Sequence, residues 1–133
     1  MDMRRHLILL ALALPACGDS GAGDEAGTPA ATLTEIEADI FAKSCTFAAC
    51  HKGASPAGGL NLEGMTHDKL VDVMATGTAK PLVVPGDADG SYLYEKLTAT
   101  MPAAGDPMPP GAPLSETKLE MVRSWIAAGA ADD

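Results

Sequence analysis

The chain has 133 residues and a formal net charge of −9, enough for one compact domain and a leader but not for a second domain. No cluster of Lys or Arg appears beyond residue 5, so the basic footprint that DNA or RNA requires is missing. One Trp, two Tyr and two Phe stand against 14 Gly and 10 Pro; such sparse bulky side chains make a self-sufficient core hard to assemble, and something else is expected to fill the middle of the fold.

Residues 1–16 read as a signal peptide. Arg4 and Arg5 form a charged start, and Leu7 to Leu14 is an unbroken run of Leu, Ile and Ala, the pattern of a secretory leader. The run is too short to span a bilayer, and the polar residues that surround a twin-arginine signal are absent. It ends Leu14-Pro15-Ala16-Cys17, which resembles a bacterial lipobox with Pro15 as its one departure. Cys17 would then carry a diacylglycerol; the plainer reading is an ordinary signal peptide with an incidental Cys. Removing residues 1–16 leaves seven basic against seventeen acidic residues, a net charge of −10. Residues 17–32, Cys17 apart, are Gly, Ala, Asp, Glu, Ser, Thr and Pro with almost nothing to bury, the composition of a flexible tether. The folded domain is placed at 33–133.

Thr34-Glu35-Ile36-Glu37 reads as a capping box, and Ile36, Ile40 and Phe41 follow at helical spacing, which predicts a first helix from about 35 to 44 that delivers Cys45 at its end. Residues 52–65 are Gly-rich and aperiodic, a loop with Leu60 and Leu62 turned inward. Thr66 is the expected cap of a short helix through Ala75 that buries Leu70, Val71 and Met74. Pro81, Pro85 and Gly86 break the chain. Asp89 or Ser91 starts another helix, with Tyr92, Leu93 and Leu97 on its inner side. Five prolines between 102 and 113 forbid regular structure. Ser115 caps the last helix, with Leu119, Val122, Trp125 and Ile126 facing inward and Gly129 as the stop. No strand pattern competes, so the expected class is all-α.

Cys45-Thr46-Phe47-Ala48-Ala49-Cys50-His51 is the central motif. A Cys pair followed at once by His, at the end of a helix, suits covalent heme attachment: two thiols add across the heme vinyls and the next side chain is aimed at the iron. The usual spacer between the thiols is two residues; here it is four, so two residues must loop out. Three other chemistries use the same residues. Cys45 and Cys50 could form a disulfide in an oxidising compartment, which leaves His51 unexplained. Zinc could take Cys45, Cys50, His51 and His67, although adjacent Cys50 and His51 are poorly placed for one tetrahedron. A reactive thiol flanked by Lys43 and Lys52 is the third.

With these motifs in view, residues from about 33 to 130 resemble a class I cytochrome c domain. The match rests on the helix leading into Cys45, Cys50 and His51, on Gly59-Leu60-Asn61-Leu62-Glu63-Gly64, on the Met-Pro loop and on the C-terminal helix. The stretch Pro85-Gly86-Asp87-Ala88-Asp89-Gly90-Ser91-Tyr92-Leu93-Tyr94-Glu95-Lys96-Leu97, followed by Met-Pro-Pro and the last helix, is similar to small cytochrome c lipoproteins of soil bacteria. The resemblance implies about four short helices and long loops around one covalent heme c, with His51 as proximal ligand. Leu60 stands where the family has Pro, and its backbone carbonyl is expected to accept from His51 Nδ1. Phe41, Leu60, Leu62, Leu70, Leu93, Trp125 and Ile126 are expected to pack around the porphyrin.

For the sixth ligand, Met74 and Met121 sit among apolar neighbours on predicted helices and read as core. Met108, between Pro107 and Pro109, is projected from a rigid loop as in the family and is the expected ligand; Met101, before Pro102, is the runner-up. His67 would give bis-His ligation and reads first as a solvated residue. With both axial positions filled, the expectation is a one-electron carrier rather than an enzyme, held by its lipid on the periplasmic side of a bacterial membrane. Its acidic surface would favour a redox partner with a basic docking patch. The alternatives are a five-coordinate heme that binds small ligands or peroxide, and a heme-free lipoprotein interaction module with a Cys45–Cys50 disulfide.

Overall fold

The computed structural model describes residues 29–47 and 50–133. The predicted signal peptide, Cys17 and most of the predicted tether lie outside the described residues. Helix α1, Leu33–Ile36, runs without a break into a π-helical stretch, Glu37–Cys45; a 3₁₀ turn follows at Ala57–Gly59, then α2 (Thr66–Leu70), α3 (Tyr92–Thr98) and α4 (Glu116–Ala127). Among the described residues β-structure is limited to isolated bridges, and the domain is all-α, as the periodicity predicts. No described helix is long and apolar enough to cross a membrane.

The first helix begins two residues before the predicted box. Thr32 is the N-cap: its hydroxyl accepts from Glu35 N–H while the Glu35 carboxylate accepts from Thr32 N–H. Thr34 is instead inside the helix and donates its hydroxyl to Asp133 O. Starting at Leu33 buries that side chain together with Ile36, Ile40 and Phe41, which the later start would have left outside. Toward Cys45 the turns widen: both the N–H and the hydroxyl of Thr46 reach back to Phe41 O, the five-residue step of a π-turn.

The second helix is shorter than predicted and Met74 is exposed rather than core. Asp72 takes a left-handed φ of 57° and turns the chain, so that Val71–Ala75 pairs with Lys80–Val83: Asp72 N donates to Val83 O, Leu82 N to Val73 O and Ala75 N to Lys80 O. β-branched Val71, Val73 and Val83 fit this extended pairing better than a helix. Thr66 is the first helical residue, not the cap; Met65 holds the cap position.

The last two helices follow their sequence signals closely. Ser91 precedes α3, but its hydroxyl accepts from Val84 N–H and donates to Asp87 O instead of capping. Ser115 Oγ accepts from Lys118 N–H at the start of α4, and Gly129 closes it with φ 111°. Helix α4 packs on α1 and α3. Trp125, Phe41, Ile36, Ile40, Ile126 and Leu70 are fully buried, each contributing about 1.5–3 kcal/mol. Other members of the same core, Leu62, Leu82, Tyr92, Leu93 and Leu97, also line an apolar cavity.

Candidate functional site

Helix α3, the 57–62 loop and the proline-rich loop wall a cavity of about 490 Å³, inside the range of roughly 300–1,000 Å³ for cofactor and small-molecule sites. The π-helical stretch ends at one edge of it, so that Cys45, Cys50 and His51 all line the same cavity. Leu60, Leu62 and Leu82 form an apolar wall, and Tyr92, Leu93, Lys96 and Leu97 of α3 supply another. Met108 and Pro109 close it from the proline-rich loop.

His51 is fixed at three points. Its N–H donates to Cys45 O at 3.0 Å, its carbonyl accepts from Leu62 N–H at 2.8 Å, and its ring Nδ1 lies 3.1 Å from Leu60 O. A carbonyl can only accept, so Nδ1 carries the proton and Nε2 is left as the basic nitrogen, the state in which imidazole is a metal ligand. The sequence-based expectation for Leu60 thus has its geometric counterpart.

Cys45 and Cys50 are free thiols. Burial, and secondarily the neighbouring Cys50, push the Cys45 thiol up to about 11. A thiol so raised stays protonated near neutrality, the opposite of what a peroxidatic nucleophile requires. His67 is not brought to the cysteines: its Nε2 bonds Ala130 O at 3.0 Å and its Nδ1 lies 3.5 Å from the Asp68 carboxylate. Among the described residues no group of three or more His, Cys, Asp and Glu side chains converges as a metal cluster, so the four residues considered for zinc are not assembled.

The methionines separate by position. Met108 is half-buried on the cavity wall, while Met101 is 88% exposed and Met65 and Met74 are also exposed. Met121 is half-buried against the core on α4, as expected. Trp125 departs from expectation: it is not on the cavity wall, because Val122, Trp125 and Ile126 share the face of α4 that packs into the core and its Nε1 donates to Ala131 O at 2.8 Å. Phe41, Leu70 and Ile126 are likewise core rather than cavity residues. In their place stand Leu82, Tyr92, Lys96 and Leu97. The i, i+4 pairing of Tyr92 with Lys96 and of Leu93 with Leu97 was the available signal; for Lys96 it was masked by its charge.

The cavity brings two thiols, one imidazole and one thioether together between walls of Leu and Tyr, a donor set that could hold an apolar cofactor with a central metal. Comparison of the chain with protein-family models, curated proteins and solved structures finds no match in any of the three.

Proposed function

We propose that this domain is a class I cytochrome c-like electron carrier, with one heme c attached through Cys45 and Cys50 and its iron held by His51 and Met108. The observation that carries the reading is the His51 Nδ1–Leu60 O bond at 3.1 Å on the wall of a cavity that Cys45, Cys50 and Met108 also line. When bound, the heme supplies a one-electron couple between ferrous and ferric iron.

The chain's own residues account for the rest. Leu60 O holds the imidazole in one tautomer and one orientation. Met108 offers a soft thioether, which favours the reduced state relative to a second His. Leu60, Leu62, Leu82, Leu93 and Leu97 keep water from the site and favour the less charged state. Two protein ligands on one centre leave no place for a substrate, so the proposal is a carrier and not an enzyme. The sequence leader and Cys17 support export and lipid anchoring on the periplasmic side of a membrane, and the acidic surface supports a basic redox partner.

The test is the mass and visible spectrum of the exported protein. Covalent heme adds a fixed mass that survives denaturation, and Cys45→Ser or Cys50→Ser lowers or abolishes it. Full covalent heme in the double variant overturns the assignment. A wild-type mass without heme points to the disulfide-bonded interaction module.

A further inference from the structure

Five prolines leave the 102–113 loop short of donors, and its one backbone-to-backbone tie among the described residues runs from Met108 N to Lys96 O at 2.7 Å. The remaining ties also come from α3. Lys96 Nζ donates to Ala104 O at 3.0 Å and to Asp106 O. Tyr92 OH donates to Ala104 O as well, and the Lys96 ammonium lies 5.8 Å from the Tyr92 ring centroid. Gly105, between the two lysine-bound carbonyls, has φ 63°, and a Cβ there would stand 3.2 Å from Nζ. The loop is shaped around the ammonium.

We infer that Lys96 is the positioning residue for Met108, clamping the 104–108 segment to α3 so that the thioether is held at the cavity; this rests on Met108 being an iron ligand, as proposed above. The backbone bond from Met108 N and the bond from Ala103 N–H to the Glu95 carboxylate hold the two ends of the segment and leave residues 104–107 between them without a further backbone tie. The two charge-assisted bonds from Lys96, two and four residues upstream of Met108, hold that stretch. Tyr92 adds a neutral third point. The ordering is done before the ligand bond forms, so the bond does not have to offset it.

The test is the affinity of the oxidised holoprotein for imidazole, which must displace the thioether to bind. Lys96→Met keeps the length of the side chain and removes the donors; imidazole binding should tighten by about ten- to a hundredfold, the scale set by losing hydrogen bonds to a charged group. Lys96→Arg, which keeps charge and two donors, should restore most of the wild-type value. Lys80→Met removes a neighbouring charge that pairs with Glu95 and should change the affinity less than twofold, which separates the clamp from a general electrostatic effect. Tyr92→Phe should tighten binding modestly and serves as the deciding variant if Lys96→Met gives too little holoprotein. Unchanged imidazole affinity in Lys96→Met, or in Tyr92→Phe where that variant decides, overturns the clamp while leaving Met108 ligation standing. A wild-type holoprotein without the sulfur-to-ferric-iron band overturns the ligation itself, and the clamp with it.

Discussion

The carboxylate of Asp133 accepts a hydrogen bond from the backbone N–H of Leu33 at 2.8 Å. The Asp133 carbonyl accepts from the next amide, Thr34, at 2.9 Å, while the Thr32 hydroxyl accepts from Glu35 N–H and the Glu35 carboxylate accepts from Thr32 N–H. All four leading amides of the first helix are therefore paired, two of them by a residue 100 and 99 positions away. These are the donors that a helix start leaves without intrahelical partners, and the negative side chain also sits favourably at the positive end of the helix dipole. The helix so anchored is the one that ends at Cys45.

Asp133→Ala should cost about 1 kcal/mol, the usual worth of an N-cap side chain. Asp133→Asn, which keeps an accepting oxygen, should recover most of it. Denaturant midpoints of the holoprotein, read by far-ultraviolet circular dichroism, give the comparison. A midpoint in Asp133→Ala equal to wild type would show that water replaces this cap without loss.

A second tie depends on pH. Glu95 accepts from Ala103 N–H at 2.5 Å and pairs with Lys80, and those bonds, Lys80 first, hold its carboxyl below the usual carboxylate range. A depressed carboxyl contributes stability that is present above its unfolded value and is lost as pH falls through the folded one. Glu95→Gln should therefore lower the melting temperature near pH 7, and the gap to wild type should close below about pH 4, near and under the unbonded value for Glu. A gap that persists unchanged at pH 3 would assign the loss to packing rather than charge.

The parts legible in the sequence are those written in local signals. Ser115, the apolar face from Leu119 to Ile126 and Gly129 specify α4 by themselves, and Cys45, Cys50 and His51 meet at the cavity because they are close in sequence. Thr32 and Thr34 both satisfy the spacing of a cap; only the burial of Leu33 and the arrival of Asp133 choose between them. The end of α2 is similar: Leu70 to Ala75 keeps a helical pattern, and the pairing with residues 80–83 overrides it. Trp125 is expected beside the cofactor and is found in the core, because the helical pattern marks the inward face of α4 without revealing whether that face meets the core or the cavity. Lys96 shows the converse case, since its role depends on two backbone carbonyls that no residue identity announces.

The leader makes a separate prediction. If Cys17 carries lipid, the wild-type protein should partition with membranes and stay there after washing with salt, because several acyl chains on one residue anchor stably where one chain is marginal. Cys17→Ser should release it to the soluble fraction with heme content unchanged. Retention of Cys17→Ser in washed membranes sinks the anchor.

The methionine assignment admits the sharpest comparison. Met108 lines the cavity and is flanked by Pro107 and Pro109, so few backbone states are lost when its thioether is engaged. Met101 is 88% exposed and is absent from the cavity wall, and the residues just after it are tied to α3 through Glu95 to Ala103 and Lys96 to Ala104 and Asp106. Met108→Ala should therefore abolish the weak far-red sulfur-to-ferric-iron band, lower the reduction potential and admit carbon monoxide to the reduced protein. Met101→Ala should leave all three as in wild type. Spectra, potentiometry and carbon monoxide titration of the two variants check this side by side. The reverse pattern would transfer the role to Met101, and no change in either variant would remove thioether ligation and leave His67 or an open sixth position to be tested by His67→Ala.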